Sequence, residues 1–128
     1  MGEELIRSMI RGLNRLIILW LLSRESMTGY RVMKELERIT GQPLSPGIVY
    51  PLLYELAEEG YLTSEERRQD GRRVKYYSTT QRGRETLRRL RETIRTPLRE
   101  ALRELLRDET HPIHPAEYTE EKREGDES

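Results

Sequence analysis

The sequence predicts a mainly α-helical fold with one small β-hairpin. Apolar residues recur at helical spacing over most of the chain, and the β-forming stretches flank Asp70-Gly71. A Ser45-Pro46 pair opens a helix that stops at Gly60, directly before that hairpin. At 128 residues the chain suits one domain with one modest core. With 36% charged and only 34% hydrophobic residues that core is thin, so part of the apolar surface is expected to be buried in a partner.

Over residues 3–23, Leu5, Ile6, Met9, Ile10, Leu13, Leu16, Ile17, Trp20 and Leu21 recur at helical spacing, with Arg7, Arg11 and Arg15 on another face. This is a first helix, more than half buried towards its end. Residues 26–28 break the pattern, and Thr28 is placed to cap a second helix reaching about Thr40, closed by Gly41. On it Val32, Leu36 and Ile39 share one side with Met33 at its margin, while Tyr30, Lys34 and Arg38 gather opposite.

For the third helix Ser45 offers a capping hydroxyl, and Pro46 stands at the first position, where its missing N–H is not needed. Ile48, Val49, Leu52, Leu53 and Leu56 fill its apolar arc, and Gly47, Tyr50, Pro51, Tyr54 and Glu58 fill the opposite one. Pro51 breaks a local rule, since proline inside a helix costs about 3 kcal/mol. Such violations are expected where function retains them. Gly60 ends the helix, with Tyr61 and Leu62 placed for the apolar contact of a Schellman-type cap.

Residues 61–67 and 73–79 read as two strands, the second rich in β-formers at Val74, Tyr76 and Tyr77. Asp70-Gly71 between them is a strong hairpin-turn signal. Val74, Tyr76 and Ser78 share one face, and Lys75, Tyr77 and Thr79 the other, so one face can join the core while the other stays wet. Thr79 or Thr80 then caps a last helix to about Arg107, with Leu87, Leu90, Ile94, Leu98, Ala101, Leu102 and Leu105 as its stripe. One helix this far from a small domain has little of its own chain to pack on. The stripe is therefore expected to meet a second copy, joined by Leu5, Met9 and Leu13 from the apolar first helix. Pro97 is expected to kink the last helix or divide it in two. From Asp108 onward too few apolar residues remain to pack, and the acidic stretch 108–128 is expected to be disordered.

The formal net charge is zero, yet residues 61–91 carry ten basic and four acidic side chains while residues 92–128 carry six and eleven. A local basic footprint is the electrostatic requirement for phosphate contact. Arg67, Arg68, Arg72 and Arg73 sit around the hairpin tip with Asp70 as the one acid among them. A helix running at once into an arginine-tipped hairpin is the pattern of a winged helix-turn-helix, and it points to DNA.

Other classes are poorly supported. There are no cysteines, which removes disulfides and thiolate metal sites and fits a reducing cytoplasm. The longest apolar run, residues 16–22, is far short of the roughly 20 residues a membrane span needs. No cleavage pattern of a signal peptide follows it, so a cytoplasmic protein without a membrane partner is expected. No Ser/His/acid set, Walker-type loop or paired-carboxylate pocket can be read, which argues against an enzyme and against a cofactor. The two histidines, His111 and His114, have no third ligand nearby, and Zn²⁺ wants four. The class-distinct alternative is a winged helix serving as a protein-interaction module without DNA binding. That role needs no basic wing, so the arginines at 67, 68, 72 and 73 discriminate against it.

The residues also resemble the PadR-like transcriptional regulators over roughly residues 16–94. The carriers are Met27-Thr28-Gly29-Tyr30, the block from Leu44 through Tyr50-Pro51-Leu52-Leu53-Tyr54 to Leu56 with Glu59-Gly60-Tyr61-Leu62, and Arg73-Val74-Lys75-Tyr76-Tyr77 running on to Gly83-Arg84. The resemblance implies a winged-helix homodimer, joined through its first and last helices, that binds a palindromic operator in double-stranded DNA and usually represses. It implies a DNA-binding domain over residues 1–80 and a dimerisation helix over 81–107. Recognition-helix contacts fall on Ser45, Gly47, Tyr50, Pro51 and Tyr54, and wing contacts on Arg67, Arg68, Arg72 and Arg73 around Gly71. Relatives often carry a basic residue where this chain has Glu55, and Glu58 lies on the same arc. Phosphate affinity is then expected from Arg31, Lys34 and Arg38 of the second helix, beside Tyr30, and from the wing with Lys75. Some members form a small-molecule pocket with aromatic residues of the last helix. This last helix has none, which leaves Trp20 as the one large ring for an apolar or aromatic effector.

Overall fold

The computed structural model describes residues 1–107. The stretch 108–128, expected to be a disordered tail, and His111 and His114 within it lie outside the described residues. The chain forms two compact units, Met1–Thr93 and the segment from Ile94. The first holds α1 (Glu3–Arg24), β1 (Met27–Thr28), α2 (Gly29–Thr40), α3 (Pro46–Glu58), β2 (Leu62–Gln69), β3 (Arg72–Thr79) and α4 (Gln81–Thr93). This is a mainly helical winged-helix fold whose three antiparallel strands run in the order β1-β3-β2.

The core lies where α1, α2, α3 and the sheet meet. Ile18 and Leu22 of α1, Val32 and Leu36 of α2, and Val49, Leu53 and Leu56 of α3 are essentially closed to solvent. Two apolar residues assigned to the core by angle alone lie outside it. Ile39 and Ile48 are exposed, because each sits at a helix end that reaches past the layer it packs on. Conversely Leu87 is buried within its own chain, where α4 crosses α1.

The helix ends read from the sequence at Thr28, Gly41 and Gly60 follow the capping chemistry, and the one read at Ser45 does not. Thr28 Oγ1 accepts the Arg31 N–H at 3.2 Å, and Gly41 closes α2 at φ 71°. Gly60, at φ 85°, donates to the Ala57 carbonyl while Tyr61 donates to the Leu56 carbonyl, the paired bonds of a Schellman motif. Ser45 is the exception, since its hydroxyl makes no cap bond. A tight first turn takes the Ile48 N–H to the Ser45 carbonyl at 3.0 Å instead. Pro51 withholds its N–H inside α3, and the carbonyl of Gly47 that loses this donor sits near the exposed end of the helix.

The strand β1 has no sequence signature, for two residues cannot display an alternation. Met27 pairs with Tyr77 and Thr28 with Tyr76, and the Ser26 and Ser78 hydroxyls bond at 2.6 Å beside them.

The second unit opens with a π-helical turn, Ile94–Leu98, and continues as α5, Arg99–Leu106. Pro97 lies inside that turn, where the widened pattern tolerates a residue without an N–H. The α-helical pattern is therefore interrupted at Pro97, while the backbone stays helical from Gln81 to Leu106. Arg103 pairs with Glu100 and Arg107 with Glu104, while Leu98, Leu102 and Leu105 are exposed. Among the described residues no helix is long and apolar enough to cross a membrane.

Gly83 supplies the first test. A Cβ there would stand 2.3 Å from the Tyr61 carbonyl oxygen and 2.6 Å from Thr79 Cγ2. Gly83→Ala is expected to destabilise the fold by about 1–3 kcal/mol, the usual penalty of overpacking. Urea denaturation measures it, and an unchanged midpoint would contradict so tight a contact.

Candidate nucleic-acid interface

The wing owes its shape to a two-residue loop in which both Asp70 and Gly71 have positive φ, 53° and 76°. That is a type I′ geometry, and it matches the twist of the flanking strands. The register pairs Arg68 with Arg73, Glu66 with Lys75 and Ser64 with Tyr77, so these six side chains share one face. Tyr77 on that face is buried against the core, which turns the whole face towards α3.

Between this face and α3 lies an open cleft of about 450 Å³, lined among others by Tyr30, Tyr50, Tyr54, Arg73, Lys75 and Tyr77. Lys75 Nζ stands 5.9 Å from the Tyr54 ring and 6.0 Å from the Tyr77 ring. Burial, and then the nearby Tyr54 and Tyr50 phenols, push the Tyr77 hydroxyl above its ordinary pKa, so it stays protonated at neutral pH. Tyr54 is well exposed at the cleft mouth, while Tyr50 is half-buried. Its ring occupies the space over Gly29, where a Cβ would meet Tyr50 Cε1 at 2.4 Å. Gly29 thus positions Tyr50, a role that sequence reading left unassigned.

The other wing face is a different environment. Arg67 stacks 4.2 Å over the Tyr76 ring and donates to Glu65, while the Tyr76 hydroxyl donates to Gln69 at 2.8 Å. Arg67 therefore stiffens the hairpin from the side away from the cleft. Arg73 lies 3.5 Å from Glu66, whereas Arg68 and Arg72 have no acidic or aromatic partner among the described residues. The cations of α2 all have acids beside them: Arg31 with Glu25, Lys34 with Glu37 and Arg38 with Glu35. Hydrogen bonding to Glu25 and its charge raise the Arg31 pKa. Such exposed pairs exchange readily for a phosphate, because solvent-screened ion pairs are weak.

Glu55, which stands where relatives often carry a basic residue, does not line the cleft. It bonds Arg11 of α1, and Glu59 one turn later bonds Arg15, so the two pairs lie side by side across the α1–α3 contact. Both partners on each helix are four apart, a spacing visible in the sequence whose pairing only the fold reveals. Ser45, Gly47 and Pro51 sit at the exposed start of α3.

This geometry agrees with what the chain is similar to. Residues 18–89 match the model of the transcriptional regulator PadR-like family. A transcriptional regulator of Mycobacterium tuberculosis is 37% identical over 92 residues, covering 72% of this chain and 71% of that one. The chain belongs to the PadR-like family of transcriptional regulators. A PadR family regulator from Eggerthella lenta has the same fold, with a TM-score of 0.61 and 31% identity over 85% of this chain and 96% of its own. The transcriptional activator GvpE of Haloferax mediterranei is 34% identical over 56 residues, 44% of this chain and 29% of that protein. As a PadR-like regulator, the protein is not an enzyme.

The α1–α3 pairs of this PadR-like chain give a pH prediction. The hydrogen bond from Arg11 holds the Glu55 carboxyl below the usual carboxylate range. A depressed folded-state pKa contributes stability above the unfolded value, and that contribution is lost as pH falls through the folded value. Glu55→Gln is therefore expected to lower the thermal midpoint at pH 7, with the two proteins converging below about pH 4. A gap of the same size at both pH values would contradict the pairing.

Proposed function

We propose that this PadR-like regulator is a homodimeric repressor that binds a palindromic operator in duplex DNA. The observation that carries this reading is one surface where Arg68, Arg73 and Lys75 of the wing stand beside the exposed Tyr54 of α3. Arg68 and Arg72, without acidic or aromatic partners among the described residues, supply phosphate contact, and α3 reads base edges. Arg68→Ala combined with Arg72→Ala is expected to weaken binding to every duplex and to flatten the log–log salt slope by up to roughly 1.8, at about 0.9 per phosphate. Fluorescence anisotropy across a salt series measures this. An unchanged slope would contradict the phosphate role and favour the protein-interaction alternative. Tyr54→Ala is expected instead to reduce the preference for operator over random duplex.

Self-association is supported by apolar side chains that the described residues leave uncovered. Leu5, Met9 and Leu13 of α1 are 77%, 65% and 48% exposed, and Leu90, Ile94, Leu98, Leu102 and Leu105 are also open. A second copy is the occupant that the family's two-fold operators call for. Met9→Glu with Leu13→Glu is expected to give a folded monomer in light scattering at concentrations where the unmutated protein is a dimer. A monomeric unmutated protein would contradict the proposal.

An apolar or aromatic effector entering the seam between copies would meet Trp20, whose ring has Arg24 5.1 Å from its centre. The match to an activator favours a second reading in which the bound dimer raises transcription. A reporter driven by the operator distinguishes the two.

A further inference from the structure

A second cavity, of about 400 Å³, lies between the N-terminal half of α1 and the start of α3, closed by the loop before α3. Its wall is apolar, built from Ile10, Leu44, Ile48 and Leu52. Trp20 does not line it. Four polar side chains do, Arg7, Arg11, Asn14 and Gln42, and they differ in kind. Asn14 is 98% buried, and its amide makes no hydrogen bond with any described residue. No fully enclosed side-chain nitrogen or oxygen lacks a partner among the described residues, so the remaining access of Asn14 is at its amide, on the cavity side. Arg7 stands at the outer end, exposed and without an ion-pair partner among the described residues, while Arg11 beside it is taken by Glu55. No acidic side chain lines the cavity.

The Asn14 amide, reachable from the cavity and without a protein partner among the described residues, offers an occupant a hydrogen bond there. An uncompensated guanidinium at the mouth selects an anionic end. Arg7 and Asn14 are seven residues apart on α1, about 10 Å along its axis. We infer that this cavity binds a small elongated carboxylate with a hydrogen-bonding group at its far end, the carboxylate on Arg7, the far group on Asn14 and the apolar chain between. Ile48 belongs to α3, so an occupant touches the recognition helix directly. Binding itself does not depend on the DNA reading.

Calorimetric titration of the full chain with 8-hydroxyoctanoate and with octanoate tests this. Saturable binding at one site per chain is expected, tighter for the hydroxylated probe. Arg7→Gln is expected to weaken both probes roughly tenfold. Asn14→Leu is expected to erase the preference for the hydroxyl. Ile48→Trp, at an exposed position that keeps the fold intact, fills the cavity and is expected to abolish binding. Absence of saturable binding, or equal binding by Ile48→Trp, would overturn the proposal. Loss of self-association in Ile48→Trp with no binding by the unmutated protein would also overturn it, and would assign the cavity to a second copy.

Discussion

The position of the wing against α3 depends on one knot of short contacts around Gly60, Thr80 and Gly83. Thr80 donates its hydroxyl proton to the Gly60 carbonyl at 2.7 Å and its N–H to the Tyr61 carbonyl at 3.0 Å, and its hydroxyl accepts the Gly83 N–H at 3.0 Å. Next to it the Thr79 hydroxyl donates to the Leu19 carbonyl of α1 at 2.9 Å. The end of α3, both bases of the hairpin, the start of α4 and the middle of α1 are thus tied within a few residues. Gly83 is the steric condition for this, since any side chain would strike Tyr61. With the base fixed, the two-residue turn and the Tyr77 anchor decide which wing face looks towards α3.

Charge placement then decides which cations are available to a partner. The chain is neutral overall, and several of its arginines, among them Arg38, Arg67 and Arg73, are engaged in exposed pairs with acids of their own element or the neighbouring strand. These pairs are screened and weak, so they keep the basic residues soluble without removing them from competition by phosphate. Arg67 differs, being held by stacking as well as by Glu65. Glu55 and Glu59 differ too. By pairing with Arg11 and Arg15 they remove negative charge from the groove side and tie α3 to α1, the helix whose outer face is apolar and uncovered. Any change in how α1 packs is therefore felt by α3 through both the ion pairs and the shared cavity.

Much of this was legible in the sequence, and the reasons for the rest are physical. The start of α2 at Thr28, the proline start of α3, its glycine end and the turn at Asp70-Gly71 are local events set by backbone conformation, which residue type constrains directly. The interruption at Pro97 was legible for the same reason. What a helical wheel cannot supply is the neighbour. It places Ile39 and Ile48 on apolar arcs without knowing that the opposing layer ends before them, and it assigns Glu55 to neither arc without knowing that Arg11 stands within reach. Gly29 read only as part of the Met27-Thr28-Gly29-Tyr30 block, although its role is the room it leaves for Tyr50, a partner 21 positions away. The strand β1 is too short to carry a period at all.

The central claim is that the wing face and α3 act together as one duplex-binding surface, used twice by a symmetric dimer. Selection of bound sequences from a random duplex pool tests it with no operator assumed. The account predicts enrichment of an inverted repeat whose half-site centres lie about one helical turn, 34–36 Å, apart or a multiple of it. A pool that shows no enrichment, or that converges on a single site without two-fold symmetry, would contradict it.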